Sequence, residues 1–67
     1  MIIRVNDQPH ELTVGAALVD LVGVLGIADR KGVAIAINDE VVSRATWQGR
    51  LLIEGDRVLV IQATQGG

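Results

Sequence analysis

The sequence is poor in the side chains that usually carry catalysis. Its 67 residues include no cysteine, tyrosine or phenylalanine, and only one histidine (His10), one lysine (Lys31) and one tryptophan (Trp47). Without cysteine neither a disulfide nor a thiolate zinc site can form, and a lone histidine cannot build a zinc site. No spacing supports a Ser-His-Asp set either. The composition predicts a protein that is not an enzyme and binds no metal.

Charge and apolar runs exclude further classes. The net charge of −2 argues against nucleic-acid binding, and the near absence of aromatic residues removes stacking surfaces for bases. Charges or glycines interrupt the apolar runs well short of the roughly 18 residues that a membrane-spanning helix needs. The N-terminus lacks the basic and apolar segments of a signal peptide. We expect a soluble cytoplasmic domain with neither nucleic acid nor membrane as a partner.

Hydrophobic periodicity predicts an N-terminal hairpin. Residues 2–5 are β-rich, residues 6–9 are turn formers, and residues 10–14 alternate between polar and apolar. The pattern predicts two strands joined by the polar turn. Four side chains would then share one core face: Ile3, Val5, Leu12 and Val14.

The period changes to that of a helix after Gly15. Apolar residues at 18, 21, 22 and 25 form one stripe, and Gly26 followed by Ile27 is typical of a left-handed helix stop. Val33–Ile37 is an apolar run of strand length, Val41 and Val42 form a short return strand, and residues 57–63 form the strongest strand. Trp47 is expected to fill the edge of the core.

This order of elements predicts an α+β fold, with one main helix packed on one face of a mixed sheet. A helix after an N-terminal hairpin, together with a long final strand, matches the β-grasp (ubiquitin-like) arrangement, in which the first and last strands pair at the sheet centre. We therefore expect a β-grasp domain over residues 1–63 and a flexible tail over residues 64–67.

The last two residues, Gly66 and Gly67, are the candidate reactive end. Two residues without Cβ can adopt almost any backbone conformation and can pass through a channel too narrow for side chains. The group they deliver is the α-carboxylate, which is ionised near neutral pH. Its attack on the α-phosphate of ATP would give an acyl-adenylate that a sulfur nucleophile can displace. That chemistry needs cationic and Mg²⁺ clamps, which a partner enzyme would have to provide.

The whole chain resembles the sulfur carriers of thiamine biosynthesis (ThiS-type). The resemblance covers residues 2–6, 33–38 and 54–58, the terminal Gln65-Gly66-Gly67 and, most discriminating, the stretch from Val41 to Trp47 with Arg44 within it. One departure is Ser43, where family members usually carry proline.

The resemblance implies a protein co-substrate. An E1-like adenylylating enzyme would activate the Gly67 carboxylate with ATP, and sulfur from a cysteine desulfurase would convert it to a thiocarboxylate. The carrier would then deliver sulfur to thiazole synthase. It would bind no cofactor itself, Gly67 would be the modified residue, and Gly66 would give access.

Alternation along the last strand suggests where partners bind. If Val58 and Val60 face the helix, then Arg57, Leu59 and Ile61 face the open side of the sheet, with Arg4 on the neighbouring strand. Exposed Leu and Ile rimmed by Arg are typical of a binding patch. The alternative is the ordinary exposed surface of a small apolar protein.

Three other functions share parts of this pattern. The small subunit of molybdopterin synthase has the same tail chemistry, but its members tend to be longer and often carry prolines before the final glycines, which residues 63–65 lack. A lysine-tagging modifier is compatible with single attachment, although Lys31 as sole lysine disfavours chains. A non-covalent β-grasp binding module would have no use for the tail.

Overall fold

The computed structural model describes residues 1–62. In chain order it contains strands β1 (Ile2–Val5) and β2 (Gln8–Glu11), helix α1 (Leu18–Leu25), strands β3 (Val33–Ile37) and β4 (Glu40–Val42), a 3₁₀ turn (Arg44–Thr46) and strand β5 (Arg57–Gln62). The strands form one sheet in the order β2-β1-β5-β3-β4. β1 and β5 are parallel, and the other neighbours are antiparallel. The predicted β-grasp architecture, with the first and last strands paired at the centre, is confirmed.

One face of the sheet packs against α1 and forms the core. Ile3, Ile35 and Ile37 of the sheet are almost fully buried, as are Leu18 and Leu21 of the helix. These residues belong to a single apolar cluster that also contains Val58 and Trp47. Burying a side chain of this size contributes roughly 1.5–3 kcal/mol, and in a chain without disulfides this cluster is the main source of stability.

Helix α1 ends as its sequence predicts. Gly26 adopts a left-handed conformation (φ 71°) and donates its N–H to the Gly23 carbonyl, while the N–H of Ile27 bonds to the Val22 carbonyl. This pair of bonds is the Schellman motif. Ile27 is buried behind the cap and completes the core at that end of the helix.

The N-terminal hairpin is confirmed, but its second strand is not where the sequence indicated. Val5 pairs with Gln8, so the turn contains only Asn6 and Asp7, and β2 ends at Glu11. Both turn residues have positive φ (50° and 68°), which allows a two-residue turn of the I′ kind. The prediction of Val14 in the core is wrong, because the strand ends before it and its side chain is 80% exposed.

Trp47 lies at the core edge as predicted, and its Nε1–H donates to the Val42 carbonyl over 3.2 Å. No helix within residues 1–62 has the length and apolar character needed to cross a membrane.

Candidate functional site

Strand β5 is the element that leads to the predicted reactive end. It lies between β1 and β3, and it pairs with β3 up to Gln62. Gly66 and Gly67, with the rest of residues 63–67, lie outside the described residues. The structure therefore defines the base of this segment: a central strand that pairs with β1 at Arg57 and Val58 and with β3 as far as Gln62.

The four residues predicted to form a binding patch share the face of the sheet opposite α1. Val58 is buried toward the helix, whereas Leu59 and Ile61 are 49% and 46% exposed on the open side. Arg4 lies beside Arg57 in the parallel register of β1 and β5, and both are exposed. We call Arg4, Arg57, Leu59 and Ile61 the open-face patch. Small residues oppose its apolar members on β3, where Ala36 pairs with Leu59 and Ala34 pairs with Ile61.

The charges of the open-face patch are neutralised only in part. Arg57 forms an ion pair with Asp39 over 3.1 Å, and both side chains are largely exposed. Arg4 donates from Nη1 to the backbone carbonyl oxygen of Asp7 over 3.3 Å. This acceptor is neutral, so the contact does not neutralise the charge of Arg4. An exposed ion pair is worth little energetically, so a partner carboxylate can compete for Arg57 at small cost.

A shallow cavity of about 150 Å³ opens on this face between the two arginines. Arg4, Arg57 and Leu59 line it, together with Asp7 and Asp39 from the two hairpin turns. Pockets for small molecules usually measure roughly 300–1,000 Å³, so this cavity suits one side chain of a protein partner better than a cofactor. Within residues 1–62 no three His, Asp or Glu side chains gather as a metal-binding group.

Two asparagines that the sequence analysis did not single out hold β5 in place. The Asn6 Oδ1 accepts the Val60 N–H over 2.8 Å, and its Nδ2 lies 3.5 Å from the Val60 carbonyl oxygen. The Asn38 Oδ1 accepts the Arg57 N–H, and its Nδ2 donates to the buried carboxylate of Asp56, both over 3.0 Å. The sequence contains an Asn-Asp pair between two strand-like runs at two places. This repeat was the one feature that could have pointed to these asparagines.

The stretch around Trp47 has a structural role. The Arg44 guanidinium lies 4.8 Å from the centre of the Trp47 ring and donates to the carbonyls of Ala28 and Arg30. These contacts tie the connector between α1 and β3 to the 3₁₀ turn. Ser43 has φ −66° and ψ 147°, a conformation that proline also adopts. The serine at this position therefore keeps the backbone that a proline would impose.

The sequence is similar to that of a sulfur carrier and to a segment of a thiazole synthase. The ThiS family matches residues 3–67. The sulfur carrier protein ThiS of Escherichia coli is 33% identical over 67 residues, which are the full length of both chains. A thiazole synthase of Magnetococcus marinus is 39% identical over the same 67 residues, and the chain spans only 20% of that longer protein.

Known structures give the same result. The crystal structure of the thiamine biosynthesis protein (ThiS) from Geobacter metallireducens superposes with a TM-score of 0.84 at 25% identity, covering all of both chains. The solution structure of a thiamine biosynthesis protein from the same organism gives a TM-score of 0.79, also at 25% identity, over the whole of this chain and 88% of the other. Sequence and fold agree over the whole length, and the chain belongs to the ThiS family.

Proposed function

We propose that this protein is a sulfur carrier of thiamine biosynthesis and that its reactive group is the carboxylate of Gly67. The observation that carries the proposal is the full-length match to a sulfur carrier, in a sequence that ends in Gly-Gly after a central strand. The comparisons favour this function over the molybdopterin-synthase type of carrier and over a non-covalent binding module, because both the family and the relatives belong to thiamine biosynthesis or thiazole formation.

The proposed chemistry has three steps. An oxygen of the Gly67 carboxylate attacks the α-phosphorus of ATP, and pyrophosphate leaves. The outer sulfur of a protein persulfide, formed by a cysteine desulfurase, then attacks the acyl carbon of the adenylate, and AMP leaves. A thiol reductant cleaves the S–S bond of the resulting acyl disulfide, which leaves the thiocarboxylate on Gly67 and a disulfide between the other two sulfurs. The cations that stabilise the phosphate charge belong to an E1-like adenylylating enzyme. In this scheme the chain is a protein co-substrate, not an enzyme, and it binds no cofactor. We also propose a cytoplasmic location, because the activating enzyme needs ATP.

Thiazole synthase is the proposed acceptor of the sulfur. The supporting observation is the Magnetococcus marinus relative, a thiazole synthase that carries a segment 39% identical to the whole of this chain. A carrier-like segment in the same polypeptide as the synthase meets it at a high effective concentration. A carrier that meets its partner by diffusion has to be recognised by a surface.

We assign that recognition to the open-face patch. Leu59 and Ile61 would supply the apolar centre of the contact, and Arg4 and Arg57 a charged rim, the usual anatomy of a protein interface. The patch also continues along β5, the strand that leads toward Gly67. Docking through this face would therefore hold the carrier by the strand from which the chain continues toward Gly67.

An aspartate in place of Ile61 tests the docking surface. Ile61→Asp should keep the fold, because the side chain is 46% exposed, and should lower both adenylylation by the activating enzyme and thiazole formation. Val24→Asp is the matched control: this helix residue is 70% exposed and does not belong to the sheet. Equal turnover of the two variants would show that the patch is not the docking surface.

Deletion of Gly66 and Gly67 tests the carrier function itself. The truncated protein should unfold at the same temperature as the full chain and should give no adenylate, no thiocarboxylate and no thiazole product with the partner enzymes. A truncated protein that still supports thiazole formation would exclude the carrier function and would favour a non-covalent binding role.

A further inference from the structure

Strand β5 extends beyond its neighbour on one side. Arg4 and Val5 of β1 pair with Arg57 and Val58, and the chain then turns away into the first hairpin. On the other side β3 accompanies β5 as far as Gln62. The segment Leu59–Gln62 therefore has a partner strand on the β3 side only, and this segment is the part of the domain closest in sequence to Gly67.

The side chain of Asn6 replaces the missing strand. Its backbone N–H donates to the Val58 carbonyl over 2.9 Å, which continues the ladder by one bond. Its side-chain amide then takes the place of the next peptide group. Oδ1 accepts the Val60 N–H over 2.8 Å, and Nδ2 faces the Val60 carbonyl oxygen at 3.5 Å. A carboxamide has the same donor and acceptor as a peptide, so it can satisfy both groups of Val60.

The turn conformation makes this contact specific to asparagine. Asn6 has φ 50°, a left-handed conformation that asparagine, aspartate and glycine tolerate best. Among these three, only asparagine offers both a donor and an acceptor in its side chain. Aspartate would place a carboxylate beside the Val60 carbonyl oxygen, and glycine would leave both groups of Val60 to water.

A second contact holds the end of the segment. The Nη1 of Arg30 donates to the Gln62 Oε1 over 3.2 Å, and the Arg30 carbonyl accepts a bond from Arg44. The end of β5 is thus linked through Arg30 to Arg44, whose guanidinium lies over the Trp47 ring. Val60 is therefore held by the turn residue Asn6, and Gln62 by Arg30 of the connector.

We propose that Asn6 is a positioning residue that sets the direction in which the chain leaves the sheet toward Gly67. This inference rests on the proposed carrier function, because direction matters only if the end has to enter a partner's active site. Gly67 follows Gln62 by five residues, so the orientation of the segment around Val60 affects where the carboxylate can reach. A misplacement of about 1 Å at a reacting group can lower a rate roughly a hundredfold.

The test compares Asn6→Gly with the wild-type chain in adenylylation by an E1-like activating enzyme, with ATP in excess and the carrier concentration varied. Glycine keeps the turn because it adopts positive φ freely, so the fold and the four residues of the open-face patch are retained. Asn6 also lines the cavity between Arg4 and Arg57, so KM for the carrier is measured to detect an effect on docking. We expect kcat to fall roughly ten- to a hundredfold, while KM for the carrier changes less than about twofold. Amide hydrogen exchange should be faster at Val60 and unchanged at Val58, whose strand pairing does not involve the Asn6 side chain.

The outcomes separate this inference from the proposed function. A wild-type chain that is never adenylylated contradicts the carrier function. A wild-type chain that is adenylylated, together with an Asn6→Gly variant of equal kcat, overturns the positioning role and leaves the carrier function standing. A raised KM at unchanged kcat also overturns it, since Asn6 would then act in docking. Asn6→Asp provides a second variant: it keeps the acceptor for the Val60 N–H but not the donor, so its kcat should fall between those of the glycine variant and wild type.

Discussion

The two hairpin turns have the same sequence and the same backbone conformation, but they hold different parts of β5. Asn6-Asp7 and Asn38-Asp39 both have positive φ at each residue and join strands through two residues. Asn38 binds the start of β5, through the Arg57 N–H and the Asp56 carboxylate, whereas Asn6 binds Val60, farther along the strand. The Asn38 turn thus stabilises the start of β5, and by our proposal the Asn6 turn orients its end.

Burial explains why the two turns should differ in their contribution to stability. The Asp56 side chain that Asn38 contacts is only 3% exposed, and its other oxygen accepts the Ile53 N–H over 2.9 Å. A buried carboxylate that loses a donor cannot replace it easily with water. Both bonds of Asn6, in contrast, lie at the exposed end of the sheet. Three substitutions test this difference.

The largest effect on stability is expected for Asn38→Gly. Glycine keeps the left-handed turn, so the loss comes from the two side-chain bonds and from the donor to the buried Asp56. We expect the free energy of unfolding to fall by about 2 kcal/mol, plus several tenths for the added freedom of the unfolded chain. Urea denaturation followed by Trp47 fluorescence measures it. A loss no greater than that of the same substitution at Asn6 would contradict the proposed difference between the turns.

A smaller effect is expected for Asn6→Gly. The added freedom of the unfolded chain is the same as at Asn38, but water can reach the Val60 groups once the side chain is removed. We expect a loss of about 1 kcal/mol in the free energy of unfolding, measured under the same conditions. If this variant were the less stable of the two, Asn6 would be mainly a folding residue and the separation of roles would be wrong.

The smallest effect is expected for Asp39→Asn. Asparagine tolerates the left-handed conformation (φ 71°), so the substitution removes only the exposed ion pair with Arg57. Such pairs contribute roughly 0.2–1 kcal/mol, and we expect a change at the lower end of that range. Thermal unfolding at low and high salt checks it, since the difference between variant and wild type should shrink as salt rises. A difference that persists in high salt would show that Asp39 acts through something other than its charge.

Much of the fold follows from the spacing of apolar residues. The stripe at residues 18, 21, 22 and 25 predicted α1, and the Gly26-Ile27 pair predicted its stop. Alternation in the last strand predicted which face Leu59 and Ile61 occupy. These predictions succeeded because periodicity is a local property of the chain. The start of β2 and the exposure of Val14 were missed, since a group of turn formers does not reveal which two of them form the turn.

The positioning contacts could not be predicted in this way. Asn6 and Val60 are 54 residues apart, and Asn38 and Asp56 are 18 apart. Glu54-Gly55-Asp56 has the composition of an exposed turn, yet the Asp56 side chain is buried because Asn38 and the Ile53 N–H satisfy its carboxylate. Such contacts depend on which strands the sheet brings together, and that information appears only with the tertiary structure.

The most direct test of the account is the intact mass of the carrier after incubation with an activating enzyme, ATP, a cysteine desulfurase with its cysteine substrate, and a thiol reductant. The account predicts a mass increase equal to the replacement of one oxygen by sulfur, located at Gly67 by fragmentation and absent from the chain that lacks Gly66 and Gly67. An unchanged mass, under conditions in which the same enzymes convert the Escherichia coli sulfur carrier, would contradict it.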